Sequence, residues 1–484
     1  MIAGTPTPGE QRPDDFRETS RGPWARTAEL PLDGRGRHVH DLVIEAAAIH
    51  TPSGPRPGTV VVDAGTITAI LEPDAAVEAR EQVRLAGDEV LIPGIVDTHV
   101  HVNEPGRTEW EGFASATAAA AAGGVTTIID MPLNSIPPTT TPEALEIKRK
   151  AAEGACAINV GFWGGAVPQN LGRLAALHEA GVFGFKCFLS PSGVPEFDHL
   201  TSAQLADAAA EVAGLGGLLI VHAEDPAVLA AAEARGRGTR GEYSGFLASR
   251  PDTAEITAIE NVIAVVRSTG VRAHILHLSS ARALPVLAAA KAEGWPITAE
   301  TCPHYLSFAA TEIPPGATQF KCCPPIRSNE NRELLWQGLI DGVIDVIASD
   351  HSPAPADLKF AGNGDFAQAW GGIAGLQVAL PAVWTAAAAR GIPLASVLEW
   401  MCHRTAQFVG LTDRGRIEQG ARADLVAFAP HAQTRVSARE LLHRNPVSAF
   451  DGAELVGAVH RTWLAGGTAG PARGQLLSRS DPGR

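Results

Sequence analysis

This chain of 484 residues is most informative first for what it lacks. Its six cysteines, at 156, 187, 302, 322, 323 and 402, contain no CxxC pair. Their scatter argues against a disulfide frame or a thiolate zinc site and predicts reduced, mostly buried thiols. Long Lys/Arg runs are missing too, and 39 basic against 53 acidic residues give a formal net charge of −14. That balance excludes nucleic acid and anionic membrane as expected partners. No apolar stretch reaches the ~18 residues of a membrane span. The opening MIAGTPTPGEQRPDDFRE lacks the basic-then-apolar order of a secretory signal, so a cytoplasmic location is expected. GxSxG elbows, GxxxxGK[ST] loops and repeats of a fixed period are also absent, which sets aside nucleophile-elbow hydrolases, P-loop nucleotide binding and solenoids.

What is present suits a folded chain with a sizeable core: 45% hydrophobic and 19% charged residues. Residues 1–40 are polar and rich in Pro, Gly and Arg, and read as a flexible tail, as do 471–484. Over 41–94, short β-branched runs such as DLVIEAAAIHTP and TVVVDAGTITAILE predict strands of a small sheet domain. The same texture returns over 415–470, in GRIEQGARADLVAFAP and ELVGAVHRTWLAGG, which predicts one β-sandwich built from both chain ends. The segment 95–414 has another rhythm. Eight short apolar runs alternate with Ala/Leu/Glu-rich helical stretches, the pattern of an α/β fold of the (β/α)8 TIM-barrel kind. Polar residues sit at the C-terminal end of each run, the face where barrel enzymes gather their catalytic groups.

His99 and His101 end the first run, and a spacing of two puts both imidazoles on one face of a strand. A surface pair of histidines would look the same, but this one has company. His222 closes GLLIVHAED, His277 closes AHILHLSS and Asp350 lies in DVIASDHSP, at the fifth, sixth and eighth strand ends. Imidazoles with a carboxylate suit Zn²⁺ or a similar divalent ion with an open position for water. Lysine is scarce, yet Lys186 lies inside the apolar run VFGFKCFLS. A buried ammonium must be paired or neutralised, and a neutral amine can add CO₂ to become a carbamate, an oxygen donor able to bridge two ions. Snorkelling or pairing with an acid is the alternative for Lys186. His351 points to the opposite side from Asp350 and reads as structural. His178, His199, His403, His431, His443 and His460 carry no such context and are expected in solvent. Ala118–Ala122 reads as a helix stopped by Gly123 and Gly124.

These residues and their loops resemble the cyclic amidohydrolases of the metal-dependent amidohydrolase superfamily over roughly 41–470. PGIVDTHVHVNEPGRTEWEGF, GGVTTIIDMPLNSIPPT, GFKCFLSPSGVPEF, ETCPHYLSF, KCCPPIR and SDHSPAPADLK are similar to their allantoinase group. The resemblance implies two divalent metal ions, zinc by expectation, held by His99, His101, carboxylated Lys186, His222, His277 and Asp350. It also implies substrate contacts from Asn134 and His304, and a homo-oligomer, commonly a tetramer. The implied reaction is hydrolysis of the ring amide of the small molecule allantoin to allantoate, in purine-nitrogen breakdown, with Asp350 passing a proton from the attacking water to the leaving nitrogen. Dihydroorotases of this type usually carry an arginine where this chain has Asn103, and allantoin has no carboxylate to need one. A dihydropyrimidinase- or hydantoinase-type hydrolase is the alternative, and a non-catalytic scaffold of the same fold is a further one.

Overall fold

The computed structural model describes residues 1, 39–236 and 241–480. The expected N-terminal tail, apart from Met1, 39 and 40, and the last four residues lie outside the described residues. The stretch 471–480, which its composition marks as tail, runs along the barrel: Gly474 N donates to Cys156 O and Leu477 N to Val160 O, at 2.9 and 2.8 Å. Backbone hydrogen bonds to the third barrel strand hold it, and composition does not report them.

The chain opens with His40–Thr51 (β1), Gly54–Asp63 (β2), Thr66–Leu71 (β3), Ala79–Arg84 (β4) and Val90–Pro93 (β5). Period-2 burial explains them: Leu42, Ile44 and Ala46, then Val60 and Val62, face one core. Leu425–Arg435 (β15), Glu454–Leu464 (β16) and Gly467–Thr468 (β17) complete the same eight-stranded sheet. The two chain ends join where Leu425 to Phe428 of β15 pair antiparallel with Pro93 to Val90 of β5. Leu425, Ala427 and Trp463 from the late strands meet the early ones in that core. The β domain from both ends is therefore one hydrogen-bonded sheet.

Between these halves lies the TIM-like barrel. Its strands are Ile95–Val100 (β6), Val125–Asp130 (β7), Asn159–Phe162 (β8, continued by Gly164–Gly165, β9), Phe185–Phe188 (β10), Leu218–His222 (β11), Arg272–Ile275 (β12), Ile297–Thr301 (β13) and Val346–Ile347 (β14). Neighbours pair in parallel throughout. The ring closes where Val100 bridges His351 and His101 N donates to His351 O at 2.8 Å. Helices form where the sequence supplies both a cap and an apolar stripe. Thr201 and Gln204 make a capping box for Ser202–Gly214, which buries Leu205, Ala208, Ala209 and Val212. Thr141 caps Pro142–Ala152 with Pro142 in the first turn. The alanine tract is helical within Phe113–Ala122 and ends at Gly123.

Candidate active site

Strand register brings the polar residues to one mouth. His99 lies on β6 and His101 just beyond it, Lys186 lies within β10, and His222 ends β11. His277 and Asp350 follow β12 and β14 closely, and both hold left-handed backbone, at φ +36° and +44°. Asn103 and Asn134 do likewise, at φ +65° and +64°. Non-glycine residues persist in this region only where surrounding structure holds them, and such strain gathers at functional sites.

His99 Nε2 stands 3.2 Å and His101 Nε2 3.7 Å from Asp350 Oδ1. Donor atoms of these three residues all lie within 4.8 Å of one another, a group able to hold a metal ion. On the opposite wall His222 Nδ1 and His277 Nε2 approach to 2.9 Å. The His99 and His277 ring centres are 5.4 Å apart, so the two walls meet. His99 Nε2, His101 Nδ1 and His277 Nδ1 are buried without a hydrogen-bond partner. Orphaned imidazole nitrogens beside a carboxylate are the donor chemistry a divalent cation would satisfy. Burial, reinforced by neighbouring cations, holds His101 and His277 well below the ordinary imidazole range, so both are neutral donors. Lys186 Nζ lies 4.9 Å from the Phe188 ring centre. Burial drives its ammonium down to about 8, against the opposing pull of Asp350 and Glu300.

Acids behind these histidines fix their orientation. Glu300 accepts from His99 Nδ1, from His274 Nε2 at 3.2 Å and from His277 N at 3.1 Å. Burial works against its charge, but the paired imidazoles outweigh it and hold the carboxyl below the usual range. Asp97 takes the His99 and Ser349 amides at 3.1 and 3.2 Å, and burial pushes it up to about 6. Glu224 pairs with His222 Nε2 at 2.8 Å and with Arg250, and these partners overcome burial to hold it at about 2. A carboxylate on one ring nitrogen fixes the tautomer and frees the other to bind.

His101, Asn134, Lys186, His222, His277 and Asp350 line one cavity of about 340 Å³. His99 lies fully buried beside Asp350. His304 is absent from that lining and groups instead with Cys302 and Asp350, their donor atoms within 4.8 Å of one another. Arg250, Lys321 and Trp370 also line the cavity, and sequence reasoning missed them. It missed Lys359 as well, which donates to the Lys321, Trp370 and Gly372 carbonyls and ties that loop down. Glu300 alone left a readable trace, as an acid inside the apolar run PITAETCPHY. His351 is structural: its Nε2 faces Glu111 at 3.4 Å and its Nδ1 accepts from Gly375 N at 3.2 Å. His178 and His443 are buried, contrary to the solvent-exposed expectation, because tertiary packing from distant segments covers them. Five of the six cysteines are buried, Cys323 is half-buried, and all are free.

Residues 90–469 match the model of the amidohydrolase family. The chain is 56% identical over 445 residues to the allantoinase of Streptomyces avermitilis, covering 91% of this chain and 99% of that one. It is 43% identical to the allantoinase of Saccharomyces cerevisiae, covering 85% and 91%. Among solved structures it is similar to L-hydantoinase (dihydropyrimidinase) from Arthrobacter aurescens, with a TM-score of 0.86 and 29% identity over 91% and 100% of the two chains. A family match across most of the length, shared by full-length relatives and by the whole fold, places the chain: it belongs to the amidohydrolase family.

Proposed function

We propose that the chain is a cyclic-amide hydrolase that opens the ring amide of allantoin to give allantoate. The 56% identity to an allantoinase over nearly the whole of both chains carries this reading. In it, His99, His101, Lys186, His222, His277 and Asp350 hold two divalent ions, and the nitrogen and oxygen donors favour zinc. Lys186 serves as a carbamate, formed when its neutral amine attacks CO₂ and releases one proton; its burial in an apolar strand supports that state. Such ions, when bound, polarise the scissile carbonyl and acidify water.

The chain's own groups do the rest. Asp350, on the cavity wall between His99 and His101, takes the proton of the attacking water and returns it to the ring nitrogen as the C–N bond breaks. Glu300 and Glu224 keep His99 and His222 in their binding tautomers. Asn134, on the cavity wall, contacts substrate, whereas His304, outside the lining, lies within metal-ligand reach of Asp350. Asn103 brings no cation: its amide donates to Pro353 O at 3.4 Å. The guanidinium of Arg250 is committed to Glu224. Lys321, the other cation added to the lining, donates to Ala369 O, so a substrate carboxylate would be buried without a dedicated partner. Assembly as a homotetramer belongs to the same reading and is measured by light scattering.

The test is a panel of allantoin, hydantoin, dihydrouracil and dihydroorotate with zinc-loaded protein. Allantoin should exceed dihydroorotate in kcat/KM by on the order of 100-fold or more, the penalty of an unpaired buried charge. A rate with hydantoin or dihydrouracil above that with allantoin would move the reading to a hydantoinase-type enzyme.

A further inference from the structure

Sharing Asp350 with the cavity lining is a cluster of different chemistry. The Cys302 thiol, an imidazole nitrogen of His304 and a carboxylate oxygen of Asp350 lie within 4.8 Å of one another. All three residues are buried. Local structure puts them there: β13 ends at Thr301, and Cys302 caps the short helix Pro303–Ser307, so the turn swings residues 302 and 304 toward Asp350. His304 Nε2 is buried without a hydrogen-bond partner, while its ring packs on Tyr305 with centres 4.2 Å apart. A buried nitrogen left without a partner is costly, and a bound cation would remove that cost. Metal–ligand bonds of about 2.0–2.3 Å require donors roughly 3.5–4 Å apart, so small side-chain shifts complete the site.

Sulfur sets this cluster apart from the imidazole–carboxylate centre beside it. Soft thiolate donors favour soft cations over hard ones. We propose that Cys302, His304 and Asp350 form a second cation site, selective for soft divalent ions such as cadmium, and that an ion held there withdraws Asp350 from the hydrolytic centre. On binding, the S–H bond breaks, its proton leaves to solvent and the sulfur electron pair forms the bond to the cation. Asp350 belongs to both clusters and lines the cavity, so ions arrive through that shared wall. The inhibitory half rests on the role given to Asp350 above; the binding half does not.

The experiment titrates zinc-loaded full-length protein with cadmium chloride, following thiolate-to-cadmium ultraviolet absorbance and allantoin hydrolysis together. The expected result is an absorbance that saturates with a single cadmium while hydrolysis falls in parallel. Cys302→Ser should abolish the absorbance, leave kcat near wild type without cadmium, and raise the half-inhibiting cadmium concentration roughly 10–100-fold, the scale on which metal sites respond to altered ligand shells. Absorbance that survives Cys302→Ser but vanishes in Cys323→Ser overturns the proposal, since Cys323 also faces the cavity. Cadmium that inhibits with no thiolate absorbance overturns it as well. Should Cys302→Ser not fold, cadmium NMR of the wild type decides: a sulfur-ligand shift supports the site and a purely nitrogen–oxygen shift rejects it. Cys302-dependent absorbance in a protein that never hydrolyses allantoin would leave the site standing and remove the proposed function.

Discussion

Two lysines of the barrel, Lys148 and Lys186, are each only 1% exposed, and they are buried in opposite ways. Lys148 comes from the outer helix Pro142–Ala152 and reaches the end of β7, where Nζ meets Asp130 Oδ2 at 2.6 Å and Met131 O at 2.9 Å. Asp130 in turn takes the Val102 amide at 2.9 Å. Every charge there has a partner, and the pair pins helix to barrel. Lys186, inside β10, forms no ion pair among the described residues and faces a phenyl ring and the cavity lined by His101, His222 and His277. The first arrangement is what burial demands of a structural charge. The second leaves an amine lowered to about 8, far more readily neutralised than an ordinary lysine, beside a cluster of metal-type donors. Burial alone therefore does not identify a functional lysine; burial without an ion pair, facing a cavity lined by metal-type donors, does.

Substitution should split the two sites cleanly. Lys186→Ala is expected to lower kcat/KM by on the order of 10³-fold or more, since losing an ion removes several kcal/mol of charge stabilisation. Elemental analysis should show fewer than two metals per chain, with thermal stability of the barrel little changed. Wild-type metal content and rate in this variant would end the carbamate assignment. Asp350→Asn keeps the shape and one oxygen donor but cannot carry the proton, so kcat should fall about 10²–10⁴-fold with a smaller change in KM. That reading requires metal analysis alongside; a metal-replete variant within threefold of wild type would make another group the base.

Lys148→Met should do the reverse of Lys186→Ala. It strands Asp130 in the interior and should cost about 3–5 kcal/mol of stability in denaturant titration, with kcat per folded molecule near wild type. Equal loss of activity and stability would erase the contrast.

His443 gives the smallest effect and sits between the two behaviours, buried with its ring centre 5.8 Å from that of His351. Burial lowers it from 6.5 to about 4. The fold keeps the neutral form, so its contribution is intact above pH 6.5 and declines as the pH falls from there toward 4. The loss should reach about 3 kcal/mol, and His443→Gln should flatten this limb of the stability profile. An unchanged profile would mean that His443 is not the titrating group.

What could be read from the sequence follows from the same physics. Strand-end positions of a barrel converge by topology, so His99, His101, His222, His277 and Asp350 were visible as one constellation before any geometry. Lys186 was visible because ammonium groups do not sit in apolar runs by chance. Glu224, Arg250 and Lys359 were not, because each gains its role from a partner distant in sequence or from loop carbonyls that only folding brings near. The burial of His178 and His443, and the docking of 471–480, were hidden for the same reason: local composition does not encode what a remote segment covers.

The pairing of β5 with β15 has a consequence for synthesis. Val90 to Pro93 leave the ribosome early, but their partners at 425–428 emerge only after the entire barrel. Until then β5 presents an unsatisfied strand edge, the kind of surface that recruits foreign strands. Completion of the terminal domain is thus a late event with a long wait before it. Chains cut short after the barrel would keep every side chain proposed above for catalysis and still leave that edge bare, so aggregation, not loss of chemistry, would be their first defect.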